Sequence, residues 1–174
     1  MPTSYQAPTR GDAKKAKKTV SQSAQTNIKL DAATVAELLK SKGGTVFSVA
    51  PGDTIATAVG ALRDKKIGAL VVTTPEGALA GILSERDIVR KLAETPGQTL
   101  PQLVSENMTA NVITCSPQDT LVTVLRLMTE GKFRHMPVLS DGKLQGMVTI
   151  GDVVTYRLQE LEHEALQLKQ MIVG

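Results

Sequence analysis

The stretch VFSVAPGDTIATAVGALRDKKIGALVV (residues 46–72) lies without a gap over VITCSPQDTLVTVLRLMTEGKFRHMPV (residues 112–138). Val46/Val112, Pro51/Pro117, Asp53/Asp119, Thr54/Thr120, Thr57/Thr123, Lys66/Lys132 and Val72/Val138 are identical pairs. After a one-residue difference in a turn, GALAGILSERDIVRKL (77–92) lies over GKLQGMVTIGDVVTYRL from Gly142 onward. Gly77/Gly142, Leu79/Leu144, Gly81/Gly146, Asp87/Asp152 and Val89/Val154 coincide there. A shorter match precedes each copy, TVAELL (34–39) over TLPQLV (99–104). Self-similarity at a period of about 66 residues marks a duplicated supersecondary unit.

Each copy reads as β-α-β-β-α. A short strand at 46–49 or 112–115 runs into Pro51 or Pro117, and the Asp-Thr pair that follows caps a helix. Ile55, Val59 and Leu62, or Leu121, Leu125 and Met128, share one helical face. An apolar strand comes next (GALVV or HMPVL), then a turn at Pro75-Glu76-Gly77 or Asp141-Gly142. The latter dipeptide is a strong hairpin signal. The second hairpin strand leads into a helix that starts at Ser84 or Thr149. One such unit cannot bury both faces of so small a sheet, so two must pack together.

Outside the repeats, TVAELLKSKGG forms a leader helix that starts near Thr34 and ends at Gly43-Gly44, with Val35, Leu38 and Leu39 as its buried stripe. At the far end, Val154, Leu158, Leu161, Ala165, Leu168 and Ile172 are spaced 4, 3, 4, 3, 4. That spacing is a coiled-coil seam, and it serves either a second copy or the helix's own domain.

The formal charge of +3 is unevenly placed. Residues 1–29 carry Arg10, Lys14, Lys15, Lys17, Lys18 and Lys29 against Asp12, and they lack periodicity, so a solvated, disordered basic tail is expected. The remainder holds 14 basic and 16 acidic side chains. The basicity therefore belongs to the tail, and with two Phe, two Tyr and no Trp there is little to stack on bases. A nucleic-acid partner is not expected. A single cysteine, Cys115, excludes an intramolecular disulfide, and two histidines, His135 and His163, do not make a metal set. No apolar run approaches the roughly 18 residues of a membrane span. The expectation is a cytoplasmic protein, or a mitochondrial one if the Ser/Thr- and Lys-rich start is a transit peptide.

GILSERD (81–87) and GMVTIGD (146–152) are the segments with chemistry in them. In each, a hydroxyl closes a strand and an Asp follows three residues later. This is what a capping box requires. It is also what a phosphate or hydroxyl site at a helix N-terminus offers, with a carboxylate placed to accept from both hydroxyls of a ribose. The spacing alone leaves both readings open.

The repeat order, GILSERDIVRKL, GMVTIGDVV, and FRHMPVL ahead of an Asp-Gly turn together resemble a CBS-domain pair (Bateman module) from about Thr34 to Arg157. The likeness is to the stand-alone bacterial and plant-mitochondrial type. The resemblance implies an α/β (α+β) fold in which tandem β-α-β-β-α CBS repeats pack as a pseudo-twofold pair, here with a C-terminal helix. The expected segments are a tail (1–29), repeat 1 with its leader (30–98), repeat 2 with its leader (99–157) and a helical extension (158–174).

The resemblance further implies a non-catalytic, regulatory module with two clefts for adenosine-containing ligands. AMP is the foremost of these, with NAD(H), ADP, ATP and S-adenosylmethionine as alternatives. Carried over by position, Asp152 and Thr149 hold a ribose while Thr114, Phe133 and Met136 line the base. In the other copy Asp87 and Ser84 hold the ribose, with Ser48, Ile67 and Ala69 around the base. Arg134 and His135 of repeat 2, and Arg86 of repeat 1, supply phosphate contacts once each, so the clefts are expected to be unlike. A homodimer, an unidentified regulated protein and no membrane association complete the expectation. The alternative is an adaptor, for example of a redox protein, in which nucleotide is structural. A catalytic barrel with its cysteine loop has no room in 174 residues.

Overall fold

The protein was analysed as a computed structural model, which describes residues 33–173. The segment expected to be a disordered tail lies outside the described residues. The elements are α1 (Val35–Lys42), β1 (Ser48–Val49), α2 (Ile55–Lys65), β2 (Ala69–Thr73), β3 (Leu79–Ser84), α3 (Glu85–Glu94), α4 (Val104–Asn107), α5 (Leu121–Gly131), β4 (His135–Ser140), β5 (Lys143–Thr149) and α6 (Ile150–Val173). The fold is mixed α/β with two short sheets, and the two repeats have matching local structure.

The identities between the copies build the backbone. Asp53 and Asp119 each fold a carboxylate back onto a turn amide, at Ala50 (2.8 Å) and Ser116 (2.7 Å). Thr54 and Thr120 cap α2 and α5, each accepting from the amide three residues on. Such a cap is worth about 1 kcal/mol over alanine. Lys66 and Lys132 end those helices in the left-handed conformation, at φ 53° and 56°. Both hairpins shift register at the same place, after Val72 and after Val138. In the β4–β5 turn Asp141 and Gly142 both have positive φ, as a two-residue hairpin loop demands.

One expected strand is shorter than its counterpart. β1 pairs in parallel with β2, but in repeat 2 only a single bridge forms, Cys115 to Val138. In repeat 1 the amide of Val71 donates to Phe47 O (3.1 Å). The corresponding residue in repeat 2 is Pro137, which has no N–H, so the ladder cannot extend.

The leader segments cross over. Val35 and Leu38 of α1 lie in a core with Leu121, Val124, Met128, Met136, Val138, Val148 and Val153, all from the second repeat. Val104 of α4 lies in the other core, with Val49, Ile55, Ala58, Leu62, Leu70, Val72, Leu83 and Ile88. Matching backbone bonds hold the exchange. Val35 N donates to Asp119 O (2.9 Å) and Val104 N to Asp53 O (2.8 Å), while Ala36 N donates to Pro117 O and Ser105 N to Pro51 O. These bonds place Val35 opposite Val104, so TVAELL is equivalent to LVSENM (103–108), four residues beyond the sequence match to TLPQLV. The packing units thus differ from the contiguous halves: each core borrows its leader from the other half.

Gly81 and Gly146 show where the borrowed segment passes. A Cβ at Gly81 would sit 2.6 Å from Met108 Sδ and 2.9 Å from Thr109 O, and one at Gly146 2.8 Å from a Leu39 methyl. Both glycines exist for close approach.

Beyond the second repeat, α6 buries Val153 and half-buries Tyr156, Arg157 and Glu160, but the heptad seam turns away from the domain. Val154, Leu158, Leu161, Leu168 and Ile172 are 39–83% exposed. No helix among the described residues is long and apolar enough to cross a membrane.

Candidate functional site

Strand β3 ends at Ser84, which starts α3. The Ser84 hydroxyl accepts from Asp87 N (3.3 Å), while Asp87 Oδ2 accepts from Ser84 N (3.0 Å) and from the hydroxyl (2.6 Å). The repeat-2 counterpart is the same: Asp152 Oδ2 accepts from Thr149 N (2.9 Å), and Thr149 Oγ1 from Asp152 N (3.0 Å). The capping box is therefore present in both copies. It uses one carboxylate oxygen of Asp87; among the described residues no bond falls on Oδ1, which a ligand can still engage.

The larger cleft has a volume of about 570 Å³, within the range of about 300–1,000 Å³ of small-molecule sites. One wall is the start of α3, with Ser84, Arg86, Asp87 and Arg90. The other is from repeat 2: Asn111, Val112 and Ile113, then Lys132, Phe133, Arg134 and His135. Ile82 and the half-buried Phe133 join Val112 and Ile113 as its apolar part. Arg86 Nη1 donates to Lys132 O (3.2 Å) across the cleft, tying the two repeats. Four cations (Arg86, Arg90, Lys132, Arg134) face two carboxylates (Glu85, Asp87), so the cavity carries excess positive charge.

The smaller cleft, about 280 Å³, is the pseudo-twofold counterpart. Thr149 lies on one side, and Val46, Phe47, Lys66, Ile67 and Ala69 of repeat 1 on the other, with Lys42 and Met147 completing it. Asp152 stands outside this lining, next to Thr149, and is ion-paired. Lys42, the last residue of α1, places Nζ 2.5 Å from Asp152 Oδ2, with both side chains about a quarter exposed.

His135 and Gly68 line both cavities, and a Cβ at Gly68 would lie 3.3 Å from His135 Nε2. Burial lowers the pKa of His135 from its ordinary value; the neighbouring carboxylates of Glu85 and Asp152 pull the other way without reversing the shift. Cys115 is 5% exposed in the repeat-2 core. Loss of solvation, aided by Asp119, pushes its thiol up to about 12. It is a small core hydrophobe, without the thiolate character a redox sensor needs.

The geometry regroups the residues singled out from sequence. Ser84, Arg86 and Asp87 of repeat 1 share the larger cleft with Phe133, Arg134 and His135 of repeat 2. Thr149, with Asp152 bonded beside it, shares the smaller cleft with Ile67 and Ala69. In the larger cleft Asp87 comes from one repeat and most of the apolar wall from the other, unlike the within-repeat grouping expected from position, while Asp152 stands outside the lining of the smaller cleft. Met136 is fully buried in a core, and neither Thr114 nor Ser48 lines either of these two clefts. Arg90, Lys132 and Asn111 in the larger cleft, and Lys42 in the smaller, were not anticipated. Arg90 was detectable, because Arg86 and Arg90 are four apart on a helix and share a face. Lys42 and Asn111 were not, since both belong to crossed-over leaders.

The family model described as "CBS domain" matches residues 35–94 and 103–159. The mitochondrial CBS domain-containing protein CBSX3 of Arabidopsis thaliana is 35% identical over 152 residues, which cover 83% of this chain and 74% of the relative. A crystal structure of a CBS-domain protein from Agrobacterium tumefaciens matches with a TM-score of 0.70 at 44% identity, over 71% of this chain and 98% of that one. The crystal structure of CBSX2 in complex with AMP matches with a TM-score of 0.60 at 30% identity, over 73% of this chain and 97% of that one.

Proposed function

Because this chain belongs to the CBS-domain family, we propose that it is a non-catalytic regulatory module whose larger cleft binds an adenosine nucleotide, AMP foremost. One observation carries this reading: a carboxylate at a helix start, an apolar wall and four cations face one another in a single cavity. The chemistry matches the three parts of AMP. Asp87 accepts from the ribose hydroxyls through Oδ1. Val112, Ile113 and Phe133 cover the purine. Arg86, Arg90, Lys132 and Arg134 hold phosphate, where guanidinium groups add bidentate contacts and the start of α3 adds its dipole. The AMP complex of a protein 30% identical to this one supports the same ligand class.

Such a ligand touches repeat 1 through Asp87 and repeat 2 through Phe133 and Arg134. Binding therefore couples the two halves and can alter the surface that a regulated protein reads. The protein acts as a homodimer, with the solvent-facing seam of α6 packed against the same seam of a second copy. Leu161→Glu, which puts a charge in that seam, converts the dimer to a monomer by light scattering. An unchanged mass removes α6 from the interface.

Isothermal titration with AMP, ADP, ATP, NADH and S-adenosylmethionine tests the ligand reading. AMP binding that weakens about tenfold or more in Asp87→Asn is the expected result. The absence of heat with all five ligands would sink it.

A further inference from the structure

The two acids of the repeats are in different electrostatic states, and the cause lies in the crossed-over leaders. Val35 is equivalent to Val104 through the matched backbone bonds, and Leu39 is equivalent to Met108 through the matched glycines. The same register puts Lys42 of the first leader where the second has Asn111. Asn111 and Asp87 both line the larger cleft; Lys42 lines the smaller cleft and pairs with Asp152. Among the described residues Asp87 has no ion-pair partner. The geometry points to Lys42 as a built-in competitor that neutralises the counterpart of Asp87 beside the smaller cleft, so that a nucleoside ligand enters the larger cleft alone.

The physical argument concerns what each acid must give up. A ribose hydroxyl meeting Asp87 replaces water. One meeting Asp152 finds a carboxylate whose charge an ammonium already balances at Oδ2, so its Oδ1 accepts more weakly than that of Asp87. Lys42 is well placed to stay: it ends α1, where a cation also meets the negative helix terminus, and α1 is anchored in the repeat-2 core by Val35 and Leu38. Gly43, at φ 88°, ends the helix directly after it. The smaller cleft also lacks counterparts of Arg86 and Arg90, since Gly151 and Thr155 stand at those positions. Removing the lysine exposes Asp152 without removing a repeated architectural residue.

This inference rests on the nucleotide reading of the clefts, and two measurements separate the two. Titration of the full chain with AMP is expected to give one site per chain in the wild type, two in Lys42→Met, and one again in Lys42→Met combined with Asp152→Asn. Two sites in the wild type, or one in Lys42→Met, overturns the competitor role while leaving nucleotide binding intact. A loss of the existing site in Lys42→Met also overturns it, because it makes Lys42 a ligand contact. The second measurement needs no nucleotide: the Lys42 ammonium gives a slowly exchanging ¹⁵N signal in NMR that vanishes in Asp152→Asn. If that signal is missing from the wild type, the pairing fails whatever AMP does. If it is present but AMP binds no variant, the nucleotide reading fails.

Discussion

The two clefts are built from the same parts and hold different chemistry. In the larger, Asp87 at the head of α3 looks across at an apolar wall flanked by Arg86, Arg90, Lys132 and Arg134. Beside the smaller, which has half the volume, Asp152 at the head of α6 is paired with Lys42, and α6 carries no cation in its first turn. The residues the repeats share (Asp53/Asp119, Thr54/Thr120, Lys66/Lys132) make turns and helix ends. Shared Val46/Val112 and Lys66/Lys132 also line the clefts, and what differs there is Arg86, Arg90 and Arg134 against Gly151, Thr155 and Gly68.

That contrast can be broken most severely through the leaders. Leu38→Ala removes a side chain 2% exposed in the repeat-2 core, at an expected cost of about 2–5 kcal/mol. Because Leu38 precedes repeat 1 yet packs in repeat 2, hydrogen exchange should rise first in β4 and β5, with β2 and β3 still protected. Loss of protection first in β2 and β3 would contradict the exchanged arrangement.

Asp87→Asn comes next in size. Losing an acceptor that bonds through its charge costs about 1.5–3 kcal/mol, or about tenfold or more in AMP affinity by calorimetry. The cap oxygen remains, so the melting temperature should fall only slightly. A large drop in melting temperature with affinity unchanged would make Asp87 a capping residue and nothing more.

Arg90→Ala sharpens the contrast at its cationic end. AMP should bind several-fold more weakly and with a shallower salt dependence, while adenosine affinity stays level. Equal losses for the two ligands would place Arg90 away from the phosphate.

The smallest effect is shared by both clefts, through His135. Burial makes the imidazolium less favourable in the folded chain than in the unfolded one. Above the ordinary value of 6.5 both states are neutral and stability is complete. As pH falls through that value the unfolded chain takes up its proton first, so stability declines until the folded group also protonates. The melting temperature of the wild type should therefore fall more steeply than that of His135→Gln over about pH 7 to 5. Parallel curves would remove His135 from the pH response.

Much of this molecule was legible before any coordinates. The gapless repeat specified the number of units and the order of their elements, because helix caps, left-handed helix ends and two-residue hairpins are local demands met by neighbouring residues. Ser84-x-x-Asp87 and Thr149-x-x-Asp152 announced two helix starts with a carboxylate at each. Even the shortened first strand of repeat 2 was written in Pro137, whose missing N–H ends the ladder.

Tertiary structure alone decided which residues share a cavity. Pairing Asp87 with Phe133, and Asp152 with Lys42, joins side chains 46 and 110 positions apart. It depends on two short leaders exchanging places to fill each other's cores. No local pattern encodes that exchange, since the apolar face of α1 would suit either repeat equally well. The choice rests on how the two cores close around Val35, Leu38 and Val104, and from it follows the contrast between a cleft lined by Asn111 and one held by Lys42.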